Sequence, residues 1–195
     1  MIVEPVVLEG EVVRLEPMAV GHLDGLWEAG RDESLWRLIP TNVASIDDMR
    51  KYVESAIADR DRGVALPFVT VERSSGKVIG STRLGNIDAA NLRCEIGWTW
   101  ITPAFQRTAV NTEAKLLMLT HAFETWKCIR VELKTDALNE RSRAAIKRLG
   151  ATEEGIFRKH MICDTGRFRD SVYFSIIDTE WPTVKEDLEK RLTSR

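Results

Sequence analysis

The sequence contains few cysteines and lacks several patterns that mark common classes of protein. Its 3 cysteines are widely spaced with no CxxC pair, which offers neither a disulfide framework nor a zinc site. No apolar run is long enough to cross a membrane, and the N-terminus lacks the basic and apolar regions of a secretory signal. We therefore expect a cytoplasmic protein in a reducing compartment, with no bound metal and no membrane partner.

An excess of basic charge and the common nucleotide-binding motifs are also missing. The formal net charge is −2, which argues against a nucleic-acid binder held by phosphate contacts. Neither GxGxxG nor GxxxxGK(S/T) occurs, so a dinucleotide or nucleoside triphosphate site has no support. One basic hairpin is the least favoured alternative, an RNA-binding surface made of Arg158, Lys159, His160, Arg167 and Arg169.

What the chain does contain is apolar periodicity along most of its length. Period-two alternation and turn signals predict strands at 11–18, 66–72, 77–84, 92–102, 130–135, 153–163 and 168–177. Helical periodicity predicts helices at 21–30, 45–63, 110–126, 140–149 and from Pro182 onward. The order β-α-α-β-β-β-α-β-α-β-β-α, without a repeat or a linker, predicts one α/β domain over residues 1–195.

A carboxylate lies in the interior of the strand predicted at 92–102. Glu95 is followed by Gly97, which leaves room beside it, so this carboxylate could act as a general base. The alternatives are a solvated strand face or an ion pair with Arg83 or Arg93. Alternation divides the strand into two faces, one carrying Glu95, Gly97, Thr99 and Ile101, and the other Cys94, Ile96, Trp98 and Trp100.

The segment 100–113 joins this strand to the long helix predicted at 110–126. A junction of this kind leaves free backbone N–H groups at the start of the helix, which form a natural anion site. A pyrophosphate would be held there by the amides and the helix dipole, with Arg107 available as a charged donor. The alternative is an ordinary loop capped by Asn111 or Thr108.

A second helix start follows the strand predicted at 130–135. Asn139 is a good N-cap residue, and this role alone explains it. Ser142 shares a face with the apolar residues Ala145, Ile146 and Leu149, so its hydroxyl points toward the interior. That hydroxyl could instead bond a carbonyl of its own helix.

Taken together, these segments resemble the GCN5-related N-acetyltransferases (GNAT), in the branch of the ribosomal-protein Ser/Ala N-terminal acetyltransferases. The resemblance runs from about Val12 to Trp181. Four stretches in this order carry it, namely Glu95-Ile96-Gly97-Trp98-Thr99-Trp100, Asn111-Thr112-Glu113-Ala114-Lys115, Asn139-Glu140-Arg141-Ser142-Arg143-Ala144-Ala145-Ile146, and Arg148-Leu149-Gly150-Ala151 with Glu154-Gly155.

The resemblance implies a fold, a cofactor and a set of roles. The fold is a mixed, mostly antiparallel seven-stranded sheet flanked by helices, whose fourth and fifth strands part to admit the pantetheine arm of acetyl-CoA. The main chain of Ile101 and Thr102 would bond pantetheine, Asn139 its amide region, and the pyrophosphate would lie against Gln106, Arg107, Thr108, Ala109, Val110, Asn111 and Thr112. Ser142 would protonate the departing thiolate, and Glu95 or a water at its position would accept the proton of the amine.

The implied reaction is direct transfer of acetyl to a primary amine in one ternary complex. The acceptor is a protein N-terminus or a small amine, and the loops 36–45 and 164–169 that would select it carry no readable code. The phosphate loop departs from the family pattern, because Ala109 and Asn111 stand where glycines are expected. This departure motivates an alternative function, a catalytically weak module that binds coenzyme A or a partner. A homodimer is left open.

Overall fold

A computed structural model describes residues 1–194 and shows one eight-stranded sheet in the order β1-β2-β3-β4-β5-β6-β8-β7. The strands are β1 (Leu8–Glu9), β2 (Val13–Pro17), β3 (Leu66–Glu72), β4 (Val78–Asp88), β5 (Arg93–Ile101), β6 (Arg130–Asp136), β7 (Thr152–Ile162) and β8 (Phe168–Ile177). The helices are α1 (Leu23–Gly30), α2 (Ile46–Asp61), α3 (Val110–Thr120), α4 (Glu140–Arg148) and α5 (Trp181–Thr193).

The sheet confirms the predicted α/β class and its mixed, mostly antiparallel character, but the predicted count of seven strands is wrong. The additional strand is β1, which pairs with β2 through Leu8 and Glu9 only. Two residues are too few to produce a period-two pattern, so β1 leaves no signal in the sequence.

Two apolar cores lie on opposite faces of the sheet, because alternate strand residues point to opposite sides. The first core packs the sheet against α3, α4 and α5 and includes Met118, Ile146 and Leu188. The second core packs it against α1 and α2 and includes Leu26 and Met49. The second core takes no residue from β6, β7 or β8, so on that face these strands lie outside the helical layer.

The N-terminal segment is attached to α3 by a single carboxylate. Glu113 is buried and accepts hydrogen bonds from the main-chain N–H groups of Glu11, Val12 and Val13 at 2.8, 2.7 and 2.7 Å. Hydrogen bonds to a charged acceptor are the stronger kind, and three of them compensate the burial of this carboxylate. The contact holds β2 against the start of α3.

Strands β5 and β6, which are the fourth and fifth of the seven predicted strands, part as the sequence resemblance implied. They form the parallel pair of the sheet, but pairing is limited to Arg93–Glu95 against Arg130–Glu132. Beyond Glu95, β5 continues to Ile101 and β6 continues to Asp136, but the two strands no longer pair with each other. A wedge-shaped opening, called the split below, therefore begins at Glu95 and widens toward the ends of both strands.

A β-bulge in β5 overturns part of the predicted alternation. Ser81 pairs with Trp100 and Arg83 with Gly97, so two residues of β5 lie opposite one residue of β4, and Trp98 has a φ of 51°. Glu95 and Gly97 share a face as predicted, but past the bulge the parity reverses. Trp100 packs in the second core, whereas Ile101 packs in the first core on the α3 side.

The long helix predicted at 110–126 is regular only as far as Thr120. A π-helical turn, His121–Thr125, continues it.

Within residues 1–194, no helix combines the length and the apolar character that crossing a bilayer requires.

Candidate functional site

Glu95 lies at the vertex of the split and is only 2% exposed. Its Oε2 accepts a hydrogen bond from Asn86 Nδ2 at 2.9 Å and lies 3.0 Å from Lys134 Nζ on β6. A Cβ at Gly97 would approach Oε1 to 2.8 Å, so the glycine leaves the space that this oxygen occupies. The carboxylate is thus buried, paired on one oxygen, and adjacent to the opening on the other side.

Both alternatives considered for Glu95 are wrong in detail. The side chain is not solvated, and its cation is Lys134 rather than Arg83 or Arg93. Arg83 is buried and lies 3.4 Å from Asp59, with its guanidinium 4.6 Å from the centre of the Tyr52 ring. The sequence alone does not reveal Lys134 as the partner of Glu95, because this contact depends on which strand pairs with β5.

The end of β5 presents main-chain groups to the split. Thr102 N–H donates to Ile79 C=O at 2.8 Å, so the N–H of Thr102 points toward β4. In an antiparallel ladder the N–H groups of adjacent residues point in opposite directions, so the N–H of Ile101, which precedes Thr102, is directed into the split. Thr102 C=O already accepts from Phe105 N–H at 3.0 Å. Of the two residues predicted to bond pantetheine, Ile101 therefore has the available N–H.

The predicted phosphate-binding segment forms a turn that leads into α3. The left-handed residue is Arg107, with a φ of 64°, and not either of the positions where glycine was expected. Ala109 has a φ of −66° and a ψ of −21°, which are ordinary helical values. Asn111 lies within the first turn of α3. Alanine in place of the expected glycine at position 109 therefore causes no backbone strain, because the positive φ of this turn falls at Arg107.

The start of α3 leaves main-chain donors free. The first bond of the helix ladder runs from Glu113 N–H to Ala109 C=O at 2.9 Å, which leaves the N–H groups of Asn111 and Thr112 without a partner in the helix. Thr108 Oγ1 accepts from Val110 N–H at 3.3 Å, which is the capping role given as an alternative. The side chains of Val110 and Thr112 are buried, so Thr112 offers only its main chain, and the N–H of Val110 is already bonded to Thr108.

Gln106 connects the two sides of the split. Its Nε2 donates to Ile101 C=O at 2.7 Å at the end of β5. Its Oε1 accepts a hydrogen bond from Arg141 in the first turn of α4. The sequence analysis did not single out Arg141, since nothing in the pattern of α4 distinguishes it from other exposed arginines.

The start of α4 lies on the β6 side of the split. Asn139 is the N-cap residue, and its side chain accepts from Ser142 N–H at 3.0 Å, as predicted from its residue type. Ser142 is half-buried, and its hydroxyl makes no hydrogen bond within residues 1–194, so the expected bond to its own helix is not formed. The structure thus places Glu95 at the vertex, Ile101 and the turn before α3 on one side, and Ser142 on the other.

A buried lysine behind the bulge also escaped the sequence analysis. Lys115 on α3 is 5% exposed, and its Nζ donates to Thr99 Oγ1 at 2.7 Å and to Thr82 Oγ1 at 3.3 Å. Thr99 Oγ1 lies 3.4 Å from Gly97 C=O, so the lysine is linked to the bulged backbone. Burial lowers the pKa of Lys115 to about 7.

On the Glu95 side of the sheet, β6 and β8 present a polar surface, called the polar face below. Ser171 and Tyr173 belong to this surface and lie on either side of the His160 ring of β7. The Nδ1 of His160 lies 3.1 Å from Ser171 Oγ, and its Nε2 lies 3.5 Å from Tyr173 Oη. Burial, followed by the positive charges of Lys134 and Arg169, lowers the pKa of His160. The polar face consists of Glu132, Lys134, Asp136, Arg169, Ser171 and Tyr173.

The two loops expected to select the acceptor are in contact. The N–H of Asp164, in the β7–β8 turn, donates to Pro40 C=O at 2.9 Å. The Oδ2 of the same aspartate accepts from Asn42 N–H at 3.0 Å. The loop between α1 and α2 therefore reaches the far end of the polar face, and it forms a clasp there with the hairpin turn.

The basic hairpin considered as an RNA-binding surface is divided by the fold. Arg158 and Lys159 are exposed, whereas Arg169 is buried and Arg167 pairs with Asp136. Across residues 1–194, no group of three or more His, Cys, Asp or Glu side chains has the arrangement of a metal site.

Comparison with known proteins identifies the family. A family model described as an acetyltransferase (GNAT) domain matches residues 13–152. A Bacillus subtilis (strain 168) protein named "Putative ribosomal N-acetyltransferase YdaF" is 36% identical over 149 residues, which covers 75% of this chain and 78% of that protein.

Solved structures agree with this match. The crystal structure of a GCN5-related N-acetyltransferase from Brucella melitensis has a TM-score of 0.89 at 33% identity, covering 96% of this chain and 85% of that one. Mycobacterium smegmatis RimJ in complex with CoA-disulfide shares the fold, with a TM-score of 0.80 at 23% identity over 96% of this chain and 92% of that one. The matched segment contains Glu95, the turn before α3 and the start of α4, and this chain belongs to the GNAT acetyltransferase family.

Proposed function

We propose that the protein is an acetyl-CoA-dependent N-acetyltransferase that transfers acetyl directly to a primary amine in a ternary complex. One observation carries the proposal. The split between β5 and β6 has a buried carboxylate, Glu95, at its vertex, free main-chain donors on one side and an unbonded hydroxyl, Ser142, on the other.

The residues present fit acetyl-CoA. The N–H groups of Asn111 and Thr112 at the start of α3 suit the pyrophosphate, because such groups and the helix dipole both favour an anion. The helical φ of Ala109 removes the main reason to expect weak binding. RimJ from Mycobacterium smegmatis, which has the same fold, was crystallised with CoA-disulfide, and this supports a coenzyme A site in the split. Bound there, acetyl-CoA supplies an activated acetyl thioester.

The residues of this chain divide the chemistry between them. Glu95 accepts the proton of the attacking amine, directly or through a water, from the vertex of the split. The N–H of Ile101 donates to the carbonyl oxygen as negative charge develops there. Ser142 passes its proton to the departing sulfur and is reprotonated from solvent in the same step. No acetylated enzyme is required, because the amine attacks the thioester carbonyl directly and the thiolate leaves.

The acceptor is the N-terminus of a protein or a small amine. The name of the Bacillus subtilis relative favours a ribosomal protein as the source of the amine. The clasp between Pro40 and Asp164 leaves the polar face beside Glu95 as the surface that such an amine approaches.

One experiment separates this proposal from a binding module of the same fold. Acetyl-CoA is titrated into the protein by calorimetry, and release of free thiol is then followed against a library of N-terminal peptides and small amines. The proposal expects both binding and thiol release that depends on an amine. Binding without turnover on any amine would support the binding module instead.

A further inference from the structure

Arg169 on β8 is an arginine buried on the polar face. It is 4% exposed, and within residues 1–194 it lies within 4 Å of no carboxylate oxygen. Its Nε is sealed from solvent and makes no hydrogen bond to any of the described residues. Buried charges in proteins are normally paired, because the loss of hydration is otherwise uncompensated.

The neighbouring carboxylates are occupied by other donors. Asp136, at the end of β6, is bonded by the Arg167 guanidinium and accepts from Leu138 N–H at 2.9 Å. Glu95 is bonded by Lys134 and Asn86. Both carboxylates act on Arg169 only from a distance. Asp136 and Glu95 therefore face three cations, which are Arg167, Lys134 and Arg169. The third carboxylate of this surface, Glu132, is already paired with Arg93 and Arg130. Arg169 thus supplies the excess positive charge.

The electrostatics of the surroundings agree with this count. Burial lowers the pKa of Arg169, and the nearby carboxylates offset this only in part. Its charge also contributes to the lowered pKa of His160 on the adjacent strand. The guanidinium thus acts on the side chains that surround the path of the amine to Glu95.

We propose that Arg169 binds a carboxylate of the acceptor, and this inference rests on the proposed function. The preferred substrate is then an amine that carries an acidic group. A guanidinium offers two parallel N–H donors that match the two oxygens of a carboxylate. The clasp between Pro40 and Asp164 limits the space at this end of the polar face, so the carboxylate lies a few bonds from the amine. Arg169 selects the acceptor and takes no part in proton transfer.

Two sources could present this chemistry. One is the side chain of an aspartate or glutamate next to the N-terminal residue of a peptide. The other is the α-carboxylate of a free amino acid. Both place an anion within a few bonds of a primary amine, and paired acceptors that differ only in that anion distinguish them.

The first measurement uses the wild-type protein and two such pairs. The peptide pair is Ser-Asp-amide against Ser-Asn-amide, and the amino-acid pair is serine against serinamide. We expect kcat/KM to favour the acidic member of one pair by about ten- to a hundred-fold, which is the range for hydrogen bonds to a charged group. The pair that shows this preference identifies the source. Equal kcat/KM within both pairs would overturn the proposal.

The second measurement assigns the preference to Arg169. Arg169→Gln should lower kcat/KM for the acidic acceptor toward that of its amide and leave the amide unchanged, and Arg169→Lys should restore part of the difference. Arg158→Gln, which removes an exposed arginine from β7, is the matched control and should keep the wild-type ratio. A full preference in Arg169→Gln would overturn the assignment. If that variant does not fold, the ratios of wild type and of Arg169→Lys decide.

A binding measurement keeps this test separate from the proposed function. Calorimetry of the same acceptor pairs with coenzyme A-saturated protein needs no turnover. Acid-selective binding that Arg169→Gln abolishes, without thiol release on any amine, would sustain the carboxylate site and contradict the acetyltransferase activity. Turnover of amines without acid-selective binding would contradict the carboxylate site and sustain the activity.

Discussion

The carboxylate of Glu95 and the ammonium of Lys134 lie 3.0 Å apart across the vertex of the split. Glu95 is the last residue of β5 that pairs with β6, and Lys134 lies two residues beyond its partner Glu132. The ion pair therefore occupies the position where the next rung of the ladder would have formed. Its two members come from the two strands that diverge, so each side chain influences the chemistry of the other.

This pair predicts the turnover of a variant. Lys134→Met leaves Glu95 buried without its cation, which disfavours the charged carboxylate that the proposed reaction needs. We expect kcat to fall by up to about a hundred-fold, the lower end of what one acid–base group contributes. Lys51→Met, at an exposed lysine of α2, serves as control. Wild-type kcat in Lys134→Met would contradict this coupling, and wild-type kcat in Glu95→Gln would remove Glu95 from the reaction.

Ser142 should act in the transition state. Ser142→Ala is expected to lower kcat by about ten- to a thousand-fold, because one acid–base group contributes on this order. A thiol with a pKa of about 8.5 is a tolerable leaving group, so the effect should be near the lower end. Affinity for acetyl-CoA, measured by calorimetry, should stay nearly constant. Wild-type kcat in this variant would leave Ser142 with a structural role only.

The main chain at the start of α3 should matter more than the side chain of Asn111. Asn111→Pro removes one N–H at a position in the first helical turn where proline is tolerated, whereas Asn111→Gly keeps that N–H. We expect the proline variant to bind acetyl-CoA about ten-fold more weakly, the value of one charge-assisted hydrogen bond. The glycine variant should change affinity far less. Equal losses in titrations of both variants would contradict phosphate binding by this turn.

Lys115 should make stability depend on pH. Burial lowers its pKa in the folded state from 10.5 to about 7, so between these values the unfolded chain binds more protons and stability rises with pH. Lys115→Met should abolish this contribution, up to about 1.4 kcal/mol per pH unit. The variant should therefore gain most over wild type below pH 7, and least near pH 10. Urea unfolding across this range tests it, and a constant difference would show that the lysine is not neutral when folded.

The sequence predicted the α/β class and, apart from β1, the order of strands and helices, and the family resemblance implied the split. The errors have identifiable causes. The face of Trp100 was wrong because a bulge at Trp98 depends on pairing with β4, which alternation along one strand does not reveal. The cation for Glu95 was wrong because Lys134 approaches through the parallel pairing of β5 with β6. The family pattern expects glycine at position 109, yet the positive φ of this turn falls at Arg107, because a motif position does not fix which residue takes it.

Buried charges were the least accessible to sequence reasoning. Arg169 lies in an alternating strand, where the pattern does not distinguish it from an exposed arginine. Whether a carboxylate pairs with it depends on β5, β6 and β8 together. Lys115 occurs on a helix face that faces the bulge rather than solvent. Local patterns report which side of an element is apolar, whereas pairing of charges depends on residues that are distant in the chain.

The attachment of the N-terminal segment to Glu113 also has a consequence for the order of folding during synthesis. Glu11, Val12 and Val13 emerge about a hundred residues before the carboxylate that accepts their N–H groups. β2 can pair with β3 once residue 72 has been made, but its other contacts wait for α3. Contacts of such long range form late and slow the folding of a domain. Residues 11–13 thus leave the ribosome long before the carboxylate that fixes them in place.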